Sequence, residues 1–528
     1  MEFHLADLYE CLCDAGPDAE ALVAGNRRSS RAELDSRANR LAHHLQSEGV
    51  RPGDHVGIYA YNRMEWVEAL LACWKIRAAA VNVNYRYVTE ELRYIWDNSD
   101  MVALVYERGF SNRVAELADE CPALRSYLVI DDGSEIEAGP GEAYEEALSR
   151  QSPGREFPPR SGDDHYLVYT GGTTGLPKGV LWRHEDFFRN VICSMQEQMD
   201  APEEIAKKAN SANSMRSLAL SPLMHGGGQW PFLITLFNGG VALFPTSKSL
   251  DPLEVLAILE SEKVKMLSII GDAMGRPIAE AKLTSKIDTS ALAVIATGGA
   301  ITTEPVRELL RRAFGEVYLT GGIGGSEIGA AATEGGKAHS TEGPHFKLMQ
   351  SVAVLDENLE PILPGSDRVG RMARSGYIPI GYYKDEKKTA ETFVTDARGV
   401  RWVLPGDFAR VEKDGAITLL GRGSQCINSG GEKIFAEEVE NVVRLHPAVR
   451  LATVVGVPDP TWQQRVVALV ELKDSSSGLT LEDLQTHCRQ HLAGYKIPRA
   501  LVLTDIPRTP TGKVDYRWAK KVAEARAC

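Results

Sequence analysis

The chain has 528 residues, 43% apolar and 25% charged, with a formal net charge of −13. That length holds several domains and a sizeable core. The acidic balance speaks against a non-specific nucleic-acid binder, whose phosphate contacts need a basic face.

From the N-terminus, "MEFHLADLYECLCDAGPDAEAL" carries acids through its apolar part and lacks a basic n-region, so no signal peptide is expected. Residues 31–49, "RAELDSRANRLAHHLQSEG", set Leu34, Ala38, Leu41, Ala42 and Leu45 on one helical face, with Gly49 as the C-terminal stop. "DHVGIYAYN" reads as a buried strand, "RMEWVEALLACWKIRA" as a helix and "AAVNVNY" as a strand; "EELRYIWDNSD" and "MVALVYE" repeat the alternation. It recurs through "SLALSPLM", "GGVALFP", "DPLEVLAILESEKV", "KMLSIIG", "ALAVIATGG", "TTEPVRELLRRAFG" and "EVYLTGG". Such alternation predicts βαβ units and parallel-rich sheets, with ligands at the carboxyl ends of strands. From about 345 to 420 the texture turns to short β-like runs, with "KDG" as a hairpin signal. The last hundred residues read as a small α+β domain, joined through "GRGSQCINSGGEK", 421–433.

Apart from Cys11 and Cys13, the cysteines (Cys73, Cys121, Cys193, Cys426, Cys488 and Cys528) are far apart, and no C-x-x-C pair exists. Neither a zinc site nor a dithiol redox site is suggested, and scattered thiols suit a cytoplasmic protein. No apolar run reaches the roughly 18 residues that span a bilayer, so no integral membrane association is expected.

The stretch "VYTGGTTGLPKGV", 168–180, has the makings of an anion site. Gly171, Gly172 and Gly175 can turn backbone N–H groups inward, Thr170, Thr173 and Thr174 add hydroxyl donors, and Lys178 adds charge. It does not fit the G-x-x-x-x-G-K-[ST] loop or G-x-G-x-x-G. "YTGGTTGLPKG" is similar to the signature of the AMP-forming adenylating enzymes. It departs at Gly171, where that family usually has Ser. Further motifs follow in the family's order from about residue 25 to residue 520.

The resemblance implies an α/β fold with a large N-terminal domain, residues 1–422, of parallel-rich sheets with helices plus a β-rich subdomain. Residues 423–528 would be a small mobile α+β domain carrying the catalytic lysine. "SPLMHGGGQW" resembles the carboxylate-pocket segment, so His225 would lie near the acyl carboxylate or gate the tunnel, with Gly226, Gly227 and Gly228 leaving room. "ATGGAI" resembles the turn against adenine, giving Gly298, Gly299 and Ala300. In "TGGIGGSEIG", Ser326 would donate to the α-phosphate and Glu327 would hold Mg²⁺. There Ile323, followed by Gly324, replaces the usual aromatic residue. "GYYKDEKKTAETF" is read as mainly structural. Asp407 and Arg422 stand at the ribose and phosphate positions, Gly430, Gly431 and Glu432 at the CoA-facing segment, and Lys513 at the adenylation lysine. Ser424 replaces the usual hinge Asp or Lys.

Chemically, the resemblance implies that a carboxylate attacks the α-phosphorus of ATP and that CoA then displaces AMP from the acyl-adenylate. ATP and CoA are co-substrates, Mg²⁺ is the metal, and the enzyme is expected as a monomer or homodimer. The joint sequence most resembles actinobacterial fatty-acid and steroid-acid CoA ligases, so a hydrophobic acid, fatty or polycyclic, is the expected substrate. An enzyme loading a carrier protein or an amine is the alternative, and Asp272 in "SIIGDAMGRP" leaves it open as a holder for an α-amine.

Overall fold

A computed structural model describes residues 2–87, 89–170, 177–194, 198–209, 215–300, 302–334, 345–422, 426–429, 432–459, 463–474, 478–492, 494–508 and 514–526. The chain divides into two compact units, one of residues 1–330 and 377–391 and one of residues 331–376 and 392–528. The β-rich run and the last hundred residues thus fall in one unit, and a short excursion, 377–391, returns to the other.

The first unit contains the expected βαβ alternation. In one sheet the strands run Arg27–Ser30, Glu20–Ala24, Val241–Phe244, Arg216–Ala219, Met266–Ile269, Val294–Thr297 and Tyr318–Gly325. Every neighbouring pair is parallel except the first. Leu218, Leu243, Leu267, Ile269 and Ile295 are buried in a shared core, as expected of strands covered on both faces. A second sheet is wholly parallel, in the order Ala79–Asn82, His55–Tyr59, Met101–Glu107, Ser126–Ile130 and Glu142–Ala143. The helix Arg31–Ser47 starts at a capping box, Ser30 with Glu33, and buries the predicted face of Leu34, Ala38, Leu41, Ala42 and Leu45. Gly49 just beyond it takes φ +85°, the left-handed conformation that ends helices.

A third, small sheet is antiparallel and joins distant parts of the chain: His165–Thr170, Lys178–Arg183 and Gly381–Tyr382.

In the second unit, antiparallel strands run in the order His345–Leu348, Ile417–Arg422, Asp407–Val411, Val369–Ser375, Arg401–Val403 and Phe393–Thr395. The "KDG" signal is the turn between Asp407–Val411 and Ile417–Arg422, with Gly415 at φ +82°. The C-terminal segment builds a sheet of Cys426–Ser429, Glu432–Phe435, Gln463–Leu472 and Val449–Asp459, with Ala500–Leu503 parallel to Gln463–Leu472. Helices Ala436–Arg444 and Leu481–Arg489 close its core through Val439, Val443 and Leu484. Among the described residues, no helix is long and apolar enough to cross a membrane. The thiols of Cys11, Cys13, Cys73, Cys121, Cys193 and Cys488 are free.

Candidate functional site

The glycine-threonine loop closes an antiparallel hairpin, with Thr170 opposite Lys178 and Tyr169 opposite Gly179. This differs from dinucleotide folds, where the phosphate loop joins a parallel strand to a helix. Gly171, Gly172, Thr173, Thr174 and Gly175 lie outside the described residues; Thr170 and Lys178 end and begin the flanking strands.

The third strand brings "GYYKDEKK" against Lys178. The Lys178 ammonium bonds the Asp385 carboxylate and lies 5.8 Å from the centre of the Tyr382 ring. The Tyr382 hydroxyl in turn donates to Glu327 Oε1 at 3.0 Å. Asp385 also accepts from the Lys388 N–H at 2.9 Å, and Lys178 followed by that N–H holds its carboxyl below the usual carboxylate range. Lys178 and Glu327, 149 positions apart, are therefore joined through one aromatic side chain from a third segment. The segment read as mainly structural contributes two polar side chains to this site. Its Tyr and Asp were the available signal, but neither residue type is distinctive without its neighbours.

Glu327 lies in the turn after the strand Tyr318–Gly325. Trp182, buried on the hairpin, donates from Nε1 to the Ser326 carbonyl at 2.9 Å. Asn190 donates to the carbonyls of Ile328 at 3.3 Å and Tyr377 at 2.6 Å, and accepts from the Ala330 N–H at 3.2 Å. Gly329 takes φ +71°, and a Cβ there would fall 2.0 Å from Asn190 Oδ1. Only glycine allows that approach. Glu327 Oε2 takes no hydrogen bond from the described residues.

Strands Val294–Thr297 and Tyr318–Gly325 are parallel neighbours, so their carboxyl ends share one edge of the sheet. That edge gathers Gly298, Gly299 and Ala300 with Ile323, Gly324, Ser326 and Glu327. No atom lies within 4 Å of where a Gly298 Cβ would be, and Gly299 has φ +71°. This leaves open space beside Gly298, while a Cβ on Gly299 would lie 3.8 Å from Ile270 Cγ2. Ile323 is partly buried on its strand.

His225 stands at the N-cap of the helix Gly226–Phe237, whose first turn accepts no side-chain cap from it. The expectation that all three following glycines make room needs correction. Only Gly227 faces open space; a Cβ on Gly226 would lie 3.3 Å from the Trp230 ring, and one on Gly228 would lie 2.1 Å from the Pro222 carbonyl oxygen. Gly228 is therefore a packing glycine. The backbone before His225 is held by Asn62, which donates to Ser221 O at 3.0 Å and accepts from Leu223 N at 2.7 Å. Gln229 donates to Leu223 O at 2.8 Å.

Asp272 is buried, and its carboxylate accepts from the N–H and the hydroxyl of Thr303 at 2.8 and 2.9 Å. Thr303 is the N-cap of the helix Glu304–Phe314, so the carboxylate serves a helix terminus.

In the second unit, Asp407 and Arg422 are register partners on paired strands. Glu432 pairs with Ser429 at the start of its strand; Gly430 and Gly431 between them lie outside the described residues. Lys513 and Ser424 lie outside them too, although Arg508 and Val514, flanking Lys513, pair as an isolated bridge.

An antiparallel hairpin around a glycine-threonine loop is thus tied to a glutamate turn at a parallel sheet edge. The chain belongs to the AMP-binding enzymes: that family matches residues 12–383, and the AMP-binding enzyme C-terminal domain matches residues 438–513. A 3-oxocholest-4-en-26-oate–CoA ligase of Rhodococcus rhodochrous is 45% identical over 536 residues, covering 98% of this chain and 96% of its own. A medium/long-chain-fatty-acid–CoA/3-oxocholest-4-en-26-oate–CoA ligase of Mycolicibacterium smegmatis is 44% identical over 541 residues, covering 100% and 97%. The crystal structure of ATP-bound MatB from Rhodopseudomonas palustris shares the fold, with a TM-score of 0.84 at 21% identity over 98% of this chain and 99% of that one.

Proposed function

We propose that this chain is an AMP-forming carboxylic acid:CoA ligase acting on a hydrophobic acid, fatty or polycyclic. The observation that carries the reading is the joined set Lys178, Tyr382 and Glu327, with Glu327 following a strand whose parallel neighbour ends just before Gly298. The substrate class rests on the two relatives, whose names give fatty and steroid acids.

In the first step a carboxylate oxygen bonds to the α-phosphorus of ATP. The bond from that phosphorus to the bridging oxygen breaks, and pyrophosphate leaves. Like charges meet, so the work is positioning and neutralisation, with no side-chain nucleophile. Lys178 and the loop's threonines and N–H groups hold the departing pyrophosphate. Ser326 donates to the α-phosphate, Asp407 accepts from the ribose hydroxyls, Arg422 reaches ribose or phosphate, and Lys513 bridges carboxylate and phosphate. Glu327 fits a Mg²⁺ ligand: one oxygen is oriented by Tyr382, the other takes no hydrogen bond from the described residues, and Mg²⁺ is usually held by one or two carboxylates plus phosphates and water. When bound, the ion supplies charge neutralisation at the polyphosphate. In the second step the CoA sulfur bonds to the acyl carbon, the bond to AMP breaks, and the thiol proton leaves to solvent. Gly430, Gly431 and Glu432 face CoA, and residues 423–528 act as a domain separate from 1–422, withdrawing Lys513 between steps. A cytoplasmic location suits these co-substrates.

Asp272, committed to Thr303, supports an acid without an α-amine over amino-acid activation. The test is a panel of fatty, steroid, aromatic and amino acids with ATP, Mg²⁺ and CoA, scored for AMP and thioester. Hydrophobic acids should give both products; no AMP from any acid would overturn the reading. Lys513→Ala should abolish adenylation and spare thioester formation from supplied acyl-adenylate. Equal loss of both steps would contradict that role.

A further inference from the structure

One buried amide touches both the phosphate-loop hairpin and the His225 loop. Asn82 ends the strand Ala79–Asn82 and is 5% exposed. Its Nδ2 donates to the Tyr169 carbonyl at 2.9 Å, and its Oδ1 accepts from the Tyr169 N–H at 2.8 Å. It thereby satisfies both backbone polar groups of Tyr169, as a neighbouring strand would. Tyr169 is the second residue before Gly171, where the loop leaves the hairpin. The remaining Nδ2 hydrogen goes to the Met224 carbonyl at 2.6 Å, one residue before His225. Both donors of the amide are thus used, one on the hairpin strand His165–Thr170 and one on the turn before His225. Asn62 differs, because the backbone groups that it bonds, on Ser221 and Leu223, both lie on the His225 side.

We infer that Asn82 is a positioning residue for adenylation, setting the distance between the strand that leads into the polyphosphate loop and the turn that leads to His225. This rests on the function proposed above. In the first step the carboxylate and ATP are separate molecules, one placed by the His225 loop and the other gripped at its polyphosphate by the glycine-threonine loop. Near-attack geometry then depends on the loop-to-loop distance, and errors of an ångström are expensive. In the second step acyl group and AMP are one molecule, so that distance has little left to set.

The experiment separates the two steps in the full-length enzyme. Acid-dependent ATP–pyrophosphate exchange reads adenylation with dodecanoate and with 3-oxocholest-4-en-26-oate. Thioester formation is read from the synthetic acyl-adenylates and CoA. Asn82→Ala should lower the adenylation kcat by about 10- to 100-fold while both KM values and the thioester rate stay within about threefold. Asn82→Ser keeps one donor and should fall between wild type and Ala; it carries the test if the Ala variant does not fold. Asn62→Ala should raise the KM for the acid more than it lowers kcat. Equal loss of both steps in Asn82→Ala or Asn82→Ser, or a change in KM alone, would overturn the role of Asn82. Wild-type enzyme that exchanges pyrophosphate with neither acid would overturn the proposed function itself.

Discussion

Lys75 and Lys178 each meet a carboxylate, in the same unit of the chain, under opposite conditions. Lys75 is 1% exposed and reaches Glu10 at 2.6 Å and Asp35 at 2.7 Å. Arg160 binds Glu10 and Asp7, and Arg155 binds Asp35 and Asp14, so the buried lysine belongs to a wider ionic network. Lys178 is 38% exposed and its partner Asp385 28%. Removing one member of a buried set strands an uncompensated charge, whereas an exposed pair exchanges readily with water or a ligand. The first cluster locks the helices Leu5–Ala15, Arg31–Ser47 and Met64–Lys75 together. The second holds a lysine where a phosphate is expected.

That contrast is breakable. Lys75→Met should lose about 3 kcal/mol of stability in chemical unfolding, softened by the two arginines; a loss below about 1 kcal/mol would place this cluster with exposed pairs. Next in size is an acid effect beside it. Burial pushes the His184 imidazole down to about 3. Its Nδ1 accepts from the Leu5 N–H at 3.2 Å, and Nε2 lies 3.1 Å from the His165 carbonyl. The unfolded chain takes up this proton near pH 6.5 and the folded chain does not. Stability contributed by neutral His184 is therefore full above about pH 6.5 and falls progressively toward pH 3. His4, stacked on it at 4.2 Å and also depressed by burial, adds to the slope. Burial pushes Glu10 and Asp35 up, but Lys75 and the arginines outweigh it and hold both below the usual range, adding a loss that begins as pH drops through about 4. Thermal midpoints from pH 7.5 to 4.5 should fall, and His184→Gln should flatten the upper part of that curve; parallel curves would refute this account.

At the exposed cluster the effects should fall on function. Tyr382→Phe frees Glu327 Oε1 and should lower adenylation by about 3- to 10-fold, with stability changed by no more than about 1 kcal/mol. A rise in the KM for Mg²⁺ would locate the loss at the glutamate. Asp385→Asn removes the competitor for Lys178 and should lower the KM for ATP by about 2- to 5-fold, the worth of one exposed pair. A raised KM would mean that Asp385 orients the lysine for its ligand.

Much of this was legible in the chain. The stripe Leu34, Ala38, Leu41, Ala42 and Leu45, the βαβ alternation and the "KDG" hairpin depend on near neighbours, and the structure contains each of them. The glutamate turn and the glycine edge were readable because each is contiguous. Three features were not. Tyr382 and Asp385 looked structural because their partners lie more than fifty positions away. Gly228 looked like pocket space because only the folded turn brings the Pro222 carbonyl, six positions earlier, behind it. Asp272 looked free for an amine because the N–H and hydroxyl that it accepts from belong to Thr303, thirty-one positions away at another helix start.

The sequence by itself determined the family, the order of its motifs and the residue types available for adenylate chemistry, since short stretches carry hydrogen-bonding groups and backbone freedom with them. Tertiary structure decided which of those groups meet. Packing set Tyr382 between Lys178 and Glu327, gave Asp272 to Thr303, and buried one lysine pair while leaving the other wet. Burial and proximity are properties of the folded chain, and they turn identical residue types toward stability in one place and toward a ligand in another.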